Sequence, residues 1–230
     1  MLNTLKNGLP ALGLNLTEET CRQLCAFGQA VVEQNKVMNL TAITEPDQVA
    51  KLHLLDSISL LSLMDLSGRK LIDVGCGAGF PGVPVKIACP GVQLTLLDSL
   101  GKRMNWLETI LPQLGVEAQC VTARAEEFVT GCREQYDFAT SRAVARLNIL
   151  LELTAPYVKV GGKILAMKGT AAKEELEEAK NAIRRLGLQV EKIAEFPVDG
   201  TAHTVIVLKK IAHTPPQYPR RYAKIKQSPL

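Results

Sequence analysis

Residues 73–82 read Asp73-Val-Gly75-Cys-Gly77-Ala-Gly79-Phe80-Pro81-Gly82. Glycines at this density let the chain turn through left-handed conformations and let a ligand approach the backbone closely. Nineteen residues beyond Gly79 stands Asp98. A carboxylate so placed can accept hydrogen bonds from both hydroxyls of a ribose. Loop and acid together point to a cofactor that carries adenosine. Gly77, Gly79 and Gly82 also satisfy the G-x-G-x-x-G spacing of dinucleotide sites. A pyrophosphate, however, needs free N–H groups at a helix start. Here Pro81 removes one donor and Phe80 adds bulk beside it.

Other groups with chemical potential are few. His53 and Asp56 are three apart and share a helix face, where they read as a solvated or partly buried polar pair rather than as direct chemistry. The six cysteines are Cys21, Cys25, Cys76, Cys89, Cys120 and Cys132, with no C-x-x-C pair, and the histidines are His53, His203 and His213. No spacing resembles a zinc site, so no metal is expected. The cysteines read as buried free thiols in a reducing compartment.

The elements that must hold these residues follow from the hydrophobic pattern. Thr17, followed by Glu18 and Glu19, marks a helix start, and Leu24, Phe27 and Val31 continue one face. Pro46 and Asp47 precede a second helix. Leu71-Ile72-Asp73-Val74 is a short strand that runs into the glycine loop. Beyond it, strands are expected at 92–97, 116–121, 136–141 and 163–167, and helices at 81–89, 102–114, 123–130 and 146–157. One further helix ends at Gly187. The runs 188–196 and 203–209 are too close to enclose a crossover helix, so they should pair antiparallel. Alternating strands and helices imply a parallel sheet covered on both faces. Seven strands ending in an antiparallel hairpin form the element order of a class I S-adenosylmethionine-dependent methyltransferase, a Rossmann-like α/β fold. Asp73 before the first glycine fits the hhDxGxGxG pattern of such enzymes. The expected organisation is an N-terminal helical segment at 1–66, a methyltransferase domain at 67–210 and a basic, Pro-containing tail at 211–230.

Composition is that of an ordinary globular protein, with 47% hydrophobic residues among 230. The formal net charge of +4 is unevenly spread. Residues 209–230 hold six bases and no acid, whereas residues 1–208 hold 21 bases against 23 acids. The tail also carries Pro215, Pro216, Pro219 and Pro229, and reads as extended or disordered and suited to a polyanion. No apolar stretch approaches ~18 residues, so no membrane span is expected. The N-terminus lacks an apolar signal region, which points to a cytoplasmic protein.

Several blocks carry a specific resemblance: Asn39-Leu40-Thr41-Ala42-Ile43, His53-Leu54-Leu55-Asp56-Ser57, the Gly-Phe-Pro-Gly form of the loop, Asp98-Ser99 with Lys102-Arg103, Arg124-Ala125-Glu126, Ser141-Arg142-Ala143-Val144-Ala145-Arg146-Leu147, and Tyr218-Pro219-Arg220. On these the chain resembles the bacterial 16S rRNA guanine-N7 methyltransferases, also called the glucose-inhibited division protein B family. The resemblance implies S-adenosylmethionine as cofactor. It implies contacts at Gly75, Gly77 and Phe80 in the loop, at Asp98, at Ala125 and Glu126, and at Arg142. In that reading Gly75 admits the methionine end, Phe80 walls the pocket and Asp98 takes the ribose. Ala125 and Glu126 border the adenine. Arg142 binds either the methionine carboxylate or an RNA phosphate.

The implied partner is 16S rRNA or the small ribosomal subunit, met by a monomer with no membrane and no metal. Arg146, Lys168, Arg220 and Arg221 are the candidate RNA contacts, with Lys102 and Arg103 as further bases. Residues 138–142 lack the motif used to methylate exocyclic amines, and no Pro-Cys stands there. Guanine N7 requires neither, because its in-plane lone pair is methylated without loss of a proton, and no catalytic base is named. The competing readings are a small-molecule methyltransferase with an incidental tail, a non-catalytic RNA-binding module, and an NAD-dependent enzyme.

Overall fold

The computed structural model describes residues 1–198 and 201–230. Helix α1 (Leu2–Gly8) leads to α2 (Glu18–Asn35). Thr17 caps α2: its Oγ1 accepts from Thr20 N at 3.1 Å, and Glu18 and Glu19 complement the exposed amides of the first turn. Cys21, Leu24, Phe27 and Val31 form the buried stripe of α2. Each such side chain, once buried, contributes about 1.5–3 kcal/mol. Residues 46–62 form one helical run that changes pitch. It passes from α3 (Pro46–Val49) through a π segment (Ala50–Leu55) to α4 (Asp56–Ile58) and a final 3₁₀ turn (Ser59–Ser62). The wide π turn falls on His53, and such turns are frequent at functional sites.

The sheet comprises β1 (Lys70–Val74), β2 (Gln93–Asp98), β3 (Gln119–Thr122), β4 (Tyr136–Arg142), β5 (Val158–Lys168), β6 (Leu188–Val198) and β7 (Thr201–Lys210). Their order is β3-β2-β1-β4-β5-β7-β6. Strands β1 to β5 pair in parallel, and β7 lies antiparallel between β5 and β6. The expected hairpin is therefore present; its link at 199–200 lies outside the described residues. Helices α5 (Gly82–Ala88), α6 (Gly101–Gln113), α7 (Ala125–Phe128), α8 (Leu147–Thr154), α9 (Ala172–Glu178) and α10 (Lys180–Arg185) connect the strands. One core layer joins α2, α5 and α6 to the sheet, and a second joins α8 and α10 to the opposite face. The order reverses between β1 and β4, and a crevice opens beyond the strand ends at that point.

Local differences from the expected elements have local causes. Strand β5 begins at Val158 rather than Lys163, because the register with β4 shifts between Tyr136 and Phe138 and absorbs Gly161 and Gly162. The helix expected to run to Gly187 is divided at Ala179 into α9 and α10. The largest correction concerns the tail. It is neither extended nor disordered: it packs on the body and ends in α11 (Tyr222–Gln227), with Thr214, Tyr218 and Ile225 buried. Lys210 is wholly buried and its Nζ donates to Glu134, Thr214, Ala155 O and Val158 O. Acids of the body thus draw in the charges that composition alone assigned to solvent. Of the six cysteines, all unpaired, four are buried and Cys89 and Cys120 are partly so.

Candidate active site

The glycine loop leaves β1 at the reversal point and is held by hydrogen bonds within itself and to the end of β2. Gly75 N and Cys76 N donate to Leu97 O, at 2.7 and 3.2 Å. Gly79 N and Phe80 N donate to Cys76 O, at 2.8 and 3.0 Å. Gly77 N donates to Asp98 Oδ2 at 3.0 Å, and Gly82 N to Asp73 Oδ2 at 2.8 Å. With Pro81 lacking a donor, the loop presents no cluster of free N–H groups to a pyrophosphate. That is the physical reason to set aside a dinucleotide.

Gly77 has a φ of +57°, and a Cβ there would meet only Arg103 Nη1, at 3.9 Å. Its open side faces the cleft. Gly75 is different: its Cβ position, at φ +73°, lies 2.5 Å from Val144 Cγ2. Ala143, itself left-handed at φ +56°, turns the chain after β4 so that Val144 packs there. Gly75 therefore admits Val144 first, which modifies its expected role toward the methionine end. Asp73 is fully buried, its Oδ1 has no hydrogen-bond partner among the described residues, and burial pushes its carboxyl up to about 7.

One cleft of about 1220 Å³ gathers Gly75, Gly77, Phe80, Asp98, Ala125, Glu126 and Arg142. All seven expected cofactor residues thus meet around the strand ends. Asp98 Oδ1 also accepts from Leu100 N at 2.9 Å, which fixes the carboxylate at the end of β2. An acid beside an open glycine, an apolar wall at Phe80 and Leu100, and Glu126 at the far rim suit a nucleoside with a cationic side arm. This donor set fits S-adenosylmethionine.

The opposite wall comes from the N-terminal segment, and spacing alone did not disclose it. Arg142 Nη1 donates to Leu52 O (2.9 Å) and Asp56 Oδ2 (2.8 Å), and its Nη2 lies 3.1 Å from His53 Nδ1. The guanidinium sits over the Phe80 ring at 5.0 Å, and His53 stacks on Phe80 at 4.6 Å. His203 Nδ1 completes the group at 2.8 Å from Asp56 Oδ1. Burial, with help from Arg142, lowers His53 to about 4, whereas Asp56 raises His203 above its ordinary value. Of the two alternatives for His53 and Asp56, burial holds: both are buried and are partners of Arg142. The available signal was their position among Leu52, Leu54 and Leu55, where a buried acid needs a cation from elsewhere.

The candidate RNA contacts separate. Arg220 donates through Nε and Nη2 to Glu152, which has no exposed surface. Lys168 is paired with Glu175 and bonded to Ala145 O. Arg146 is exposed but bridged to Glu174 and Glu178. These three are engaged in ion pairs within the chain. Arg221, Lys224 and Lys226 are exposed and form no ion pair among the described residues. Tyr222, next to Arg221, reaches the cleft, with Arg124 Cζ 5.7 Å from its ring centroid. Among the described residues, no group of acids, histidines and cysteines could hold a metal, and no helix is long and apolar enough to cross a membrane.

Comparison with known proteins agrees with this geometry. Solved structures share the fold. A TehB-like SAM-dependent methyltransferase from Corynebacterium glutamicum superposes with a TM-score of 0.51 at 19% identity, covering 67% of this chain and 87% of that one. The mitomycin 7-O-methyltransferase MmcR gives 0.57 at 17% identity, covering 80% and 60%. Curated relatives are far closer in sequence. The ribosomal RNA small subunit methyltransferase G of Alkaliphilus oremlandii (strain OhILAs) is 44% identical over 98% of this chain and 97% of its own length. That of Streptococcus sanguinis (strain SK36) is 43% identical over 95% and 94%. The family model described as rRNA small subunit methyltransferase G matches residues 20–203, and this chain belongs to that family.

Proposed function

We propose that this chain transfers the methyl group of S-adenosylmethionine to N7 of a guanine in 16S rRNA of the small ribosomal subunit. One observation carries the reading. Sequence blocks far apart in the chain, at 39–43, 53–57, 73–82, 124–126 and 141–145, converge on a single cleft whose loop amides are closed to pyrophosphate. The family membership agrees with it. A cytoplasmic location goes with that ribosomal substrate as part of the same proposal.

When bound, the cofactor supplies an electrophilic methyl group on a positively charged sulfur. Asp98 would accept from the ribose hydroxyls, while Ala125 and Glu126 would border the adenine. Phe80, backed by His53, closes the apolar wall and excludes water. Guanine N7 gives up no proton, so the chain has to align the base rather than deprotonate it. Asp56 offsets the charge of Arg142, and His53, lowered to about 4, is uncharged at pH 7.

The test is methyl transfer from labelled S-adenosylmethionine to small subunits and to free 16S rRNA lacking the mark, followed by base mapping. The expected result is incorporation at guanine N7. Tight cofactor binding with no incorporation into RNA would instead favour a small-molecule methyltransferase.

A further inference from the structure

Leu40, Thr41 and Ile43 line the cleft, yet none is among the proposed cofactor contacts. The hydrogen bonds at Thr41 form a chain whose direction can be read. Arg142 is a donor only, so its Nη2, at 3.1 Å, requires a lone pair on His53 Nδ1. A proton on Nδ1 would reach Leu52 O at 3.1 Å, but it would also set two N–H groups against each other, because the guanidinium cannot give up its own hydrogens. Neutral His53 therefore carries its proton on Nε2 and donates it to Thr41 Oγ1, at 2.7 Å. Thr41 Oγ1 also accepts from Ile43 N, at 3.0 Å. A hydroxyl has two lone pairs and one hydrogen. Both lone pairs of Thr41 are occupied, so its hydrogen is left to donate. Thr41 is part-buried and lines the cleft on the wall that His53 and Phe80 share.

The Hoogsteen edge of guanine shows two acceptors, N7 and O6, whereas adenine shows N7 and an amino donor. N7 must face the methyl group, so O6 is the adjacent atom through which the base can be held. We infer that Thr41 donates its hydroxyl hydrogen to O6 of the target guanine and so selects guanine and turns N7 toward the methyl donor. Arg142, His53 and Asp56 are positioning residues for this contact: the Asp56–Arg142 pair sets the tautomer of His53, and His53 sets the direction of the Thr41 hydroxyl. The inference rests on the proposed guanine-N7 reaction.

The experiment compares 16S rRNA containing guanine at the mapped position with the same RNA containing 2-aminopurine there. That analogue keeps N7 and the 2-amino group but lacks O6. The wild-type enzyme is expected to show a kcat/KM at least about tenfold higher on guanine, in line with loss of one oriented hydrogen bond. Thr41→Val is expected to act on both RNAs at the lower, 2-aminopurine rate, with unchanged affinity for S-adenosylhomocysteine. Thr41→Ser, which keeps the hydroxyl, is expected to restore the preference. Equal wild-type rates on the two RNAs would overturn the inference, and so would a Thr41→Val enzyme that folds and keeps the preference. Should Thr41→Val not fold, the wild-type and Thr41→Ser comparisons decide alone. Methyl mapping separates the two levels. A mark away from guanine N7 defeats both the reaction and this contact, whereas a mark at N7 without O6 dependence defeats the contact only.

Discussion

Asp98 meets two demands at once. It ties down the loop through Gly77 N and accepts from Leu100 N, and in the proposed reading its remaining lone pairs take the ribose diol. Asp98→Ala should weaken S-adenosylhomocysteine binding by about tenfold to hundredfold, the scale of hydrogen bonds to a charged acceptor, as read by calorimetry. Asp73 makes the opposite bargain, since it is buried with one oxygen unpartnered. Its carboxyl stands near 7 when folded, against an ordinary value of 3.8. Between those values the folded chain keeps a proton that the unfolded chain has lost. Stability contributed by the protonated form is full below about pH 4 and is lost as pH rises through 7. Asp73→Asn should therefore gain stability over wild type as pH rises from 5 to 7.5, by a few kcal/mol at most, measured by urea denaturation; parallel pH profiles would contradict it. The loop and Asp98 were legible in the sequence because their meaning lies in short-range spacing. The role of His53 and Asp56 was not, because Arg142 reaches them from 86 residues away.

The docked tail shows the same difficulty at the level of elements. Pro content and unopposed charge, taken alone, describe a chain that stays in solvent. What changes the outcome is Glu152, buried on α8 between Leu151 and Leu153, which accepts from Arg220 N, Nε and Nη2 at 2.6–2.9 Å. An acid on an apolar helix face was the signal that some cation must come to it. Arg220→Ala leaves that carboxylate buried without its partner. The expected cost is about 3–5 kcal/mol, or roughly 10 °C in the melting temperature of a chain this size, checked by calorimetric scanning. Deleting 213–230 would remove buried Tyr218 and Ile225 together with Arg220, so it tests folding rather than RNA contact. The succession of strands and helices and the closing hairpin, by contrast, were legible, the hairpin because a link too short for a helix permits only antiparallel return.

For the whole molecule, the net charge of +4 resolves into bases held inside and bases left outside. Arg221, Lys224 and Lys226 remain exposed near the cleft side that Tyr222 reaches, and they are the tail's candidates for phosphate. Replacing all three by Ala should flatten the slope of log affinity for rRNA against log salt by about 2–3, while cofactor affinity stays as in wild type. An unchanged slope would show that the tail does not meet RNA. The placement of β7 has a consequence for how the chain comes into being. It is the last strand to be synthesised, yet it is inserted between β5 and β6, pairing with both. Until residues 201–210 emerge, two strand edges wait open, each a template for pairing with a neighbouring chain. The nascent protein is thus exposed to aggregation until nearly its final residues, and a fragment that ends before β7 cannot serve as a minimal enzyme.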